Sequence, residues 1–359
     1  MVRPEYSPSH RGRQLRELRS GDRPSKTIAA LVVASCLLFP LPGVDGGALA
    51  GPGTAISVEV IPIELDPEAP GREELGALRF LSGFELRSAD PRFGGLSGLE
   101  LSVQGDSLYA VSDHGYWLSA RLRHDATGRL TGLSAWEIAP LLAPAGGPLV
   151  SRRLRDAEAL VRDRDGSFVV AFERAHRLWR YPPAPAALTS PPHSVATPDE
   201  LAGAPANGGV EAVTVLRDGR LLALTEKYEN PDGSLKGWLI ENGRFASLSY
   251  LPSEGFRPTD LAALASGDVL LLERRYSLVG GPAARIRRLP RASLRAGTQL
   301  GGPEIARLEL PLAVDNFEGL AVREDPEGGT LLYLISDDNY ESYQRTLLLQ
   351  FRLGARGEN

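Results

Sequence analysis

Five stretches of this 359-residue chain repeat one pattern of apolar and polar positions. They read "LSGLELSVQGDSLYAVSDHGYW" (Leu96–Trp117), "DAEALVRDRDGSFVVAFERAHRLW" (Asp156–Trp179), "GVEAVTVLRDGRLLALTEKY" (Gly209–Tyr228), "PTDLAALASGDVLLLERRY" (Pro258–Tyr276) and "DNFEGLAVREDPEGGTLLYLISDDNY" (Asp315–Tyr340). In each, a short apolar strand starts beside a polar residue: Ser97, Glu158, Glu211, Asp260 or Glu318. A turn rich in Gly and Asp follows, and these residues supply the backbone freedom of a tight hairpin. A second apolar run then ends on an acid: Asp113, Glu173, Glu226, Glu273 or Asp337. The pattern predicts a repeated β-hairpin.

The polar anchors are 61, 53, 49 and 58 residues apart, a period that suits a four-stranded propeller blade with its loops. Segments such as "GWLIENGRFASLSYL" (Gly237–Leu251) and "ARIRRLP" (Ala284–Pro290) supply outer strands. The expected fold is all-β: a single β-propeller of six blades. Its last blade is closed by "AISVEVIPIEL" (Ala55–Leu65) pairing near "RTLLLQFRL" (Arg345–Leu353), which leaves no free sheet edge. A β-sandwich would have no reason to re-use one phrase at this spacing.

Composition changes the picture at the N-terminus. A basic leader from Arg11 to Lys26 precedes the apolar run "TIAALVVASCLLFPL", and Ala48-Leu49-Ala50 forms an A-x-A site for a signal peptidase. Residues 1–50 are therefore expected to be a signal peptide and 51–359 the propeller domain, periplasmic or secreted. The apolar run is short and broken by Pro40 and Pro42, so no stable membrane span is expected. The single cysteine, Cys36, lies in the leader, and the mature chain then has no disulfide, thiol nucleophile or thiolate metal site. A formal net charge of -5 gives no support to a nucleic-acid partner. The expected state is a monomer.

Equivalent positions of propeller blades converge on one axis. Glu158, Glu211, Asp260 and Glu318 should therefore gather at the hub, with Ser97 as the uncharged member of the ring. Carboxylates that close repel unless they are protonated, paired or bridged by a metal. Oxygen ligands alone point to Ca2+ over zinc or copper. The acids at the second strand ends, Asp113, Glu173, Glu226, Glu273 and Asp337, form a second candidate ring of metal ligands. His114, Arg174, Lys227, Arg274 and Arg275 follow those acids and are candidates to bind an anionic substrate or act on it. Each single acid has a plainer reading, as a partner in an ion pair between blades. Ser97 in "GLSGLE" lacks the second glycine in place and the strand–turn–helix context of a serine-hydrolase elbow. "SDDNYESY" offers oxygen ligands but is not an EF-hand loop.

At "DAEALV…GSFVVAFER", "GVEAV…DGRLLALTEK" and "DNFEGLAV…LYLISDDN" the chain resembles the phytase-like domain family, also called "esterase-like activity of phytase". The resemblance runs from about Leu75 to Leu353. It implies a propeller, bacterial export and a distant relation to calcium-dependent alkaline phytases, and it assigns no catalytic residue. The expected activity is an exported, calcium-dependent hydrolysis of phosphoesters. A non-catalytic binding propeller with a structural calcium, and a metal-dependent lactonase or carboxylesterase, are the alternatives.

Overall fold

The computed structural model describes residues 53–325 and 328–354, so the expected signal peptide lies outside the described residues. Five antiparallel sheets follow one another around a ring. Blade 1 runs outward from Leu96–Leu101 through Ser107–Ser112 and Tyr116–His124 to Leu130–Pro140, with Thr54–Ala55 on its outer edge. Blade 2 is Ala157–Arg162, Phe168–Phe172, Arg177–Tyr181 and His193–Val195. Blade 3 is Val210–Val215, Leu221–Glu229, Leu235–Glu241 and Arg244–Tyr250, with Gln299–Leu300 added in parallel. Blade 4 is Arg257–Ala263, Val269–Ser277, Gly281–Leu289 and Glu304–Glu309.

Blade 5 joins the two ends of the described chain. Asn316–Glu324, Thr330–Asp337 and Thr346–Leu353 pair onward to Leu78–Arg87, which pairs in turn with Glu59–Ile63. Closure by strands from both ends is thus present, with Leu78–Arg87 between the two segments expected to meet. The expected sixth blade is absent among the described residues. Stretches such as 182–209, which hold only the three-residue outer strand His193–Val195, lengthen the repeat without adding a sheet, so dividing chain length by the period overcounts. No helix among the described residues is long and apolar enough to cross a membrane.

The apolar runs are continuous because both faces of each blade are covered. Val269 and Leu271 pack toward blade 3 with Leu222 and Leu224, while Leu270 and Leu272 pack toward blade 5 with Leu332 and Leu334. On the other side of blade 5, Tyr333 and Ile335 meet Leu99 and Leu108 of blade 1. Blades 1 and 2 share Trp117, Phe168 and Tyr181, and blades 2 and 3 share Val169, Ala223 and Trp238. Five inter-blade cores therefore close a circle. The inner strands approach closely enough to need glycine. A Cβ on Gly98 would lie 2.7 Å from the Leu160 nitrogen, and one on Gly319 would lie 2.8 Å from Leu99 Cβ.

Candidate functional site

A β-bulge at the same place in every inner strand builds the hub. The pairing register skips one residue in each blade: Ser97, Glu158, Glu211, Thr259 and Glu318. A bulge leaves its extra residue out of the ladder and re-aims it. Extending the same register one residue past the bulge partner on the second strands aligns Asp113, Glu173, Glu226, Arg274 and Asp337. In a four-stranded antiparallel blade these inner-strand starts and second-strand ends share one face with the connections between blades. Both rings therefore open on that face.

Blade 4 departs from the expected ring by one residue on both strands. Thr259 occupies the bulge in place of Asp260, and Arg274 the strand end in place of Glu273. A one-residue slip turns a side chain to the other face. Asp260 is buried and accepts the backbone N–H of Leu261 at 2.8 Å and of Leu320 at 2.7 Å, tying blade 4 to blade 5. Glu273 is buried against Arg285 (Nε–Oε2 2.6 Å) and accepts the Tyr250 hydroxyl at 2.6 Å. Arg275 leaves the hub with it: its guanidinium lies 4.6 Å from the Phe256 ring centre and pairs with Glu309 at 2.9 Å. Ser97 is buried and donates to the Gly95 carbonyl at 3.3 Å, which suits no nucleophile.

The other sequence-derived candidates come together. Burial raises the pKa of Glu158 well above the carboxylate range, and Glu318, Glu173, Asp156 and Asp113 add to the effect. Glu211 is raised in the same way, first by burial and then by Glu226, Glu173 and Glu158. Asp337 is raised by burial and by Glu318 and Asp113. Asp113 is pushed up to about 7 by burial, with Asp156 and Glu318 assisting and Arg155 opposing. With Asp338, which acts on Asp113 and Asp337, nine carboxylates lie within mutual electrostatic reach.

Cations are woven into this cluster. Arg274 Nε lies 3.1 Å from Glu318 Oε1, and Arg274 Nη2 lies 3.4 Å from Glu226 Oε1. Burial opposes its charge, yet Glu318, Glu211 and Glu226 overcome that and raise its pKa. Lys227 pairs with Glu226, and Arg174, whose φ is 55°, pairs with Asp156. His114 stacks on Tyr340 at 4.0 Å and 14°, and burial, then Arg155 and Arg152, lower its pKa. A concavity of about 670 Å3 opens beside Tyr340, lined also by Glu85, Arg87, Tyr343 and Arg345.

Asp156 and Asp338 were not singled out by the hairpin pattern. Asp156 stands two residues before the bulge, where the other blades place Gly95, Gly209, Arg257 and Asn316. That column is the signal for it. Gly209 donates its N–H to Glu173 Oε1 at 2.6 Å, and Asn316 Nδ2 donates to Glu318 Oε1 at 2.7 Å. Gly95 sits so close to the Asp113 carboxylate that no Cβ fits, and its N–H donates to Asp338 Oδ1 at 3.0 Å. The column therefore touches the hub carboxylates in blades 1, 2, 3 and 5, while Arg257 of blade 4 pairs with Glu229 at 3.1 Å. Ligand atoms of Asp156, Glu158 and Glu173, all from blade 2, lie within 4.8 Å of one another and could hold a metal ion.

Fold and hub define a five-bladed β-propeller with an acidic, arginine-threaded centre. The family model "Phytase-like: Esterase-like activity of phytase" matches residues 91–340, and the chain belongs to that family. No curated protein matches. Among solved structures, the chain is similar to the PQQ-bound aldose sugar dehydrogenase from Streptomyces coelicolor at 14% identity, covering 84% of this chain and 100% of that one, with a TM-score of 0.43. It is similar to an endo-arabinase from Bacteroides thetaiotaomicron at 11% identity (72% and 94% covered, TM-score 0.42). The β-propeller domain of Cps50 (Swd1) from Myceliophteria thermophila matches at 10% identity (81% and 99% covered, TM-score 0.36). Likenesses at this level carry no activity across to this chain.

Proposed function

We propose that this chain is an exported hydrolase of ester bonds that works with a divalent cation, calcium by its donor set, and that phosphoesters are its substrates. The observation that carries the reading is the excess of hub carboxylates over Arg174, Lys227 and Arg274, the cations paired with them. Four features fit a hard cation. The donors are all oxygens, Asp156, Glu158 and Glu173 form a compact trio, and buried Asp113 Oδ1 has no hydrogen-bond partner. Burial and mutual repulsion also hold the acids far from their ordinary range, the imbalance a bound cation relieves.

Asp156, Glu158 and Glu173 would hold the ion. When bound, such a cation polarises an ester or phosphoryl oxygen as a Lewis acid. The Gly209 N–H donates to Glu173 Oε1 at 2.6 Å and orients it within the trio. Asp113 Oδ1, buried without a hydrogen-bond partner, would accept a proton from an attacking water. Arg274 pairs with both Glu226 and Glu318 and opposes the burial that raises the Glu318 pKa.

One observation favours a second reading, hydrolysis of lactones or carboxylic esters: Arg174, Lys227 and Arg274 are each already engaged by a hub carboxylate. A panel of phosphomonoesters, aryl esters and lactones separates the readings. Phosphate release that stops in EGTA and returns with calcium is expected. Turnover of lactones or aryl esters alone would move the assignment to the second reading. No turnover on the whole panel would leave a non-catalytic binding propeller.

A further inference from the structure

Eight of the ten large apolar side chains that the described residues leave exposed belong to segments on the face where the hub opens; Val103 and Phe245 are on the other. The most exposed stand at the tip of the blade 4 hairpin, where Leu278 is 95% exposed and Val279 wholly so. The ladder between the second and third strands of blade 4 continues three pairs past Arg274, ending with Ser277 opposite Gly281. In blades 1 and 2 that ladder stops at Val111 and Phe172, short of Asp113 and Glu173. At a strand rise of about 3.3 Å per residue, the tip stands about 10 Å above the level of Arg274.

The tip is a built turn. Ser277 Oγ accepts the Gly280 N–H at 2.9 Å, and Gly281 takes a φ of 67° to close a three-residue hairpin loop. Blade 3 protrudes in the same way, its ladder ending with Glu229 opposite Leu235, but it turns through Asn230–Gly233, residues ordinary for a solvated turn. Between Tyr276 and Pro282 blade 4 carries no charged side chain, so moving its tip into an apolar phase strips no charge of water.

Leu310, also exposed, lies beside the tip: a Cβ on Gly281 would come within 3.1 Å of Leu310 Cδ1. Two further exposed points, Val150 before blade 2 and Tyr343 in the hairpin of blade 5, stand elsewhere around the hub. A stable protein partner needs a continuous complementary surface of about 800 Å2. A fluid lipid surface instead accepts separate protrusions, each reaching the acyl boundary by itself, and tyrosines such as Tyr276 and Tyr343 suit the headgroup level.

We propose that the hub face docks on a phospholipid surface, with Leu278 and Val279 inserted at the acyl boundary and Leu310, Val150 and Tyr343 as the supporting contacts. Docked on these points, the hub mouth lies against the headgroup layer. The contact is reversible and superficial, distinct from a membrane span, and it does not depend on the hydrolase reading.

The test is co-sedimentation of the intact protein with vesicles of phosphatidylcholine and phosphatidylglycerol in high salt, which screens headgroup charge. The intact protein should bind, and Leu278→Ser/Val279→Ser should bind at least tenfold more weakly at an unchanged melting temperature. Val103→Ser, on the opposite face, should bind as the intact protein does. Val279→Trp should move its fluorescence to shorter wavelength when vesicles are added. No vesicle binding by the intact protein, undiminished binding by the double variant, equal loss in Val103→Ser or unmoved tryptophan emission would each overturn the proposal. Sedimentation velocity without vesicles should show a monomer. A dimer abolished by the double variant would give the tip to a second copy of the chain and overturn the lipid assignment.

Discussion

Stripping divalent cations with EGTA at neutral pH is expected to lower the melting temperature by on the order of 10 °C, and calcium should restore it. The size follows from mass action. A ligand at about a thousand times its Kd stabilises the fold by about 4 kcal/mol. Each kcal/mol moves Tm by about 2–4 °C for a chain somewhat smaller than this one. The pH dependence carries the sign. Asp113 titrates at about 7 in the fold, against about 3.9 in an unfolded chain. The folded state therefore holds that proton more tightly. Its contribution to stability without metal is full below about pH 4 and is lost as pH rises through 7.

Burial and like charges raise Glu158, Glu211 and Asp337 too, and they act in the same direction. Paired acids with lowered pKa, such as Asp90 and Asp218, lose their contribution only under more acidic conditions. Glu100, pushed up to about 7 by burial, declines with the hub, while His124, lowered to about 4 by burial, adds stability as pH rises from about 4 to 6.5, so the part of the profile that calcium removes reports the hub. Thermal melts from about pH 5 to 8 should fall with pH in EGTA and flatten in calcium. A flat or rising profile in EGTA, unmoved by calcium, would contradict the hub's electrostatics.

Replacing Arg274 with Gln should destabilise the EGTA-treated protein by about 3–5 kcal/mol, the range seen when one partner of a buried ion pair is removed. Arg274 is the cation that blade 4 places where the other blades place acids, and Glu318, Glu226 and Glu211 all depend on it. Glu211→Gln removes repulsion with Glu226, Glu173 and Glu158 and should be stabilising without metal. Combined with Arg274→Gln, it should recover part of the loss, giving a non-additive double-mutant cycle. Urea denaturation of the four proteins measures this. Additive effects would mean that the two side chains do not share one field.

The repeat, the hairpins and most of the acids at the hub could be read from the chain, because a hairpin buried on both faces leaves long apolar runs between Gly/Asp turns. Three features were not legible in the pattern. The blade count went wrong because the period measures connections as well as strands. Blade 4 was misread because its acids, Asp260 and Glu273, sit one position off the bulge register. Spacing held the correction. Glu158 to Glu173 and Glu211 to Glu226 are each 15 residues apart, as Thr259 to Arg274 is, whereas Asp260 to Glu273 is 13. An acid-to-acid match masked a threonine and an arginine that share the geometry but not the charge. Asp156 was overlooked because its column holds a different residue in each blade.

Calorimetric titration of calcium into the EGTA-treated protein tests the hub most directly, with Glu158→Gln beside Asp218→Asn, an exposed acid in the hairpin turn of blade 3. The intact protein and Asp218→Asn should bind calcium with the same affinity, and Glu158→Gln should bind it at least a hundredfold more weakly. Equal affinity in all three, or no calcium binding by the intact protein, would contradict a cation held by the carboxylates of blade 2.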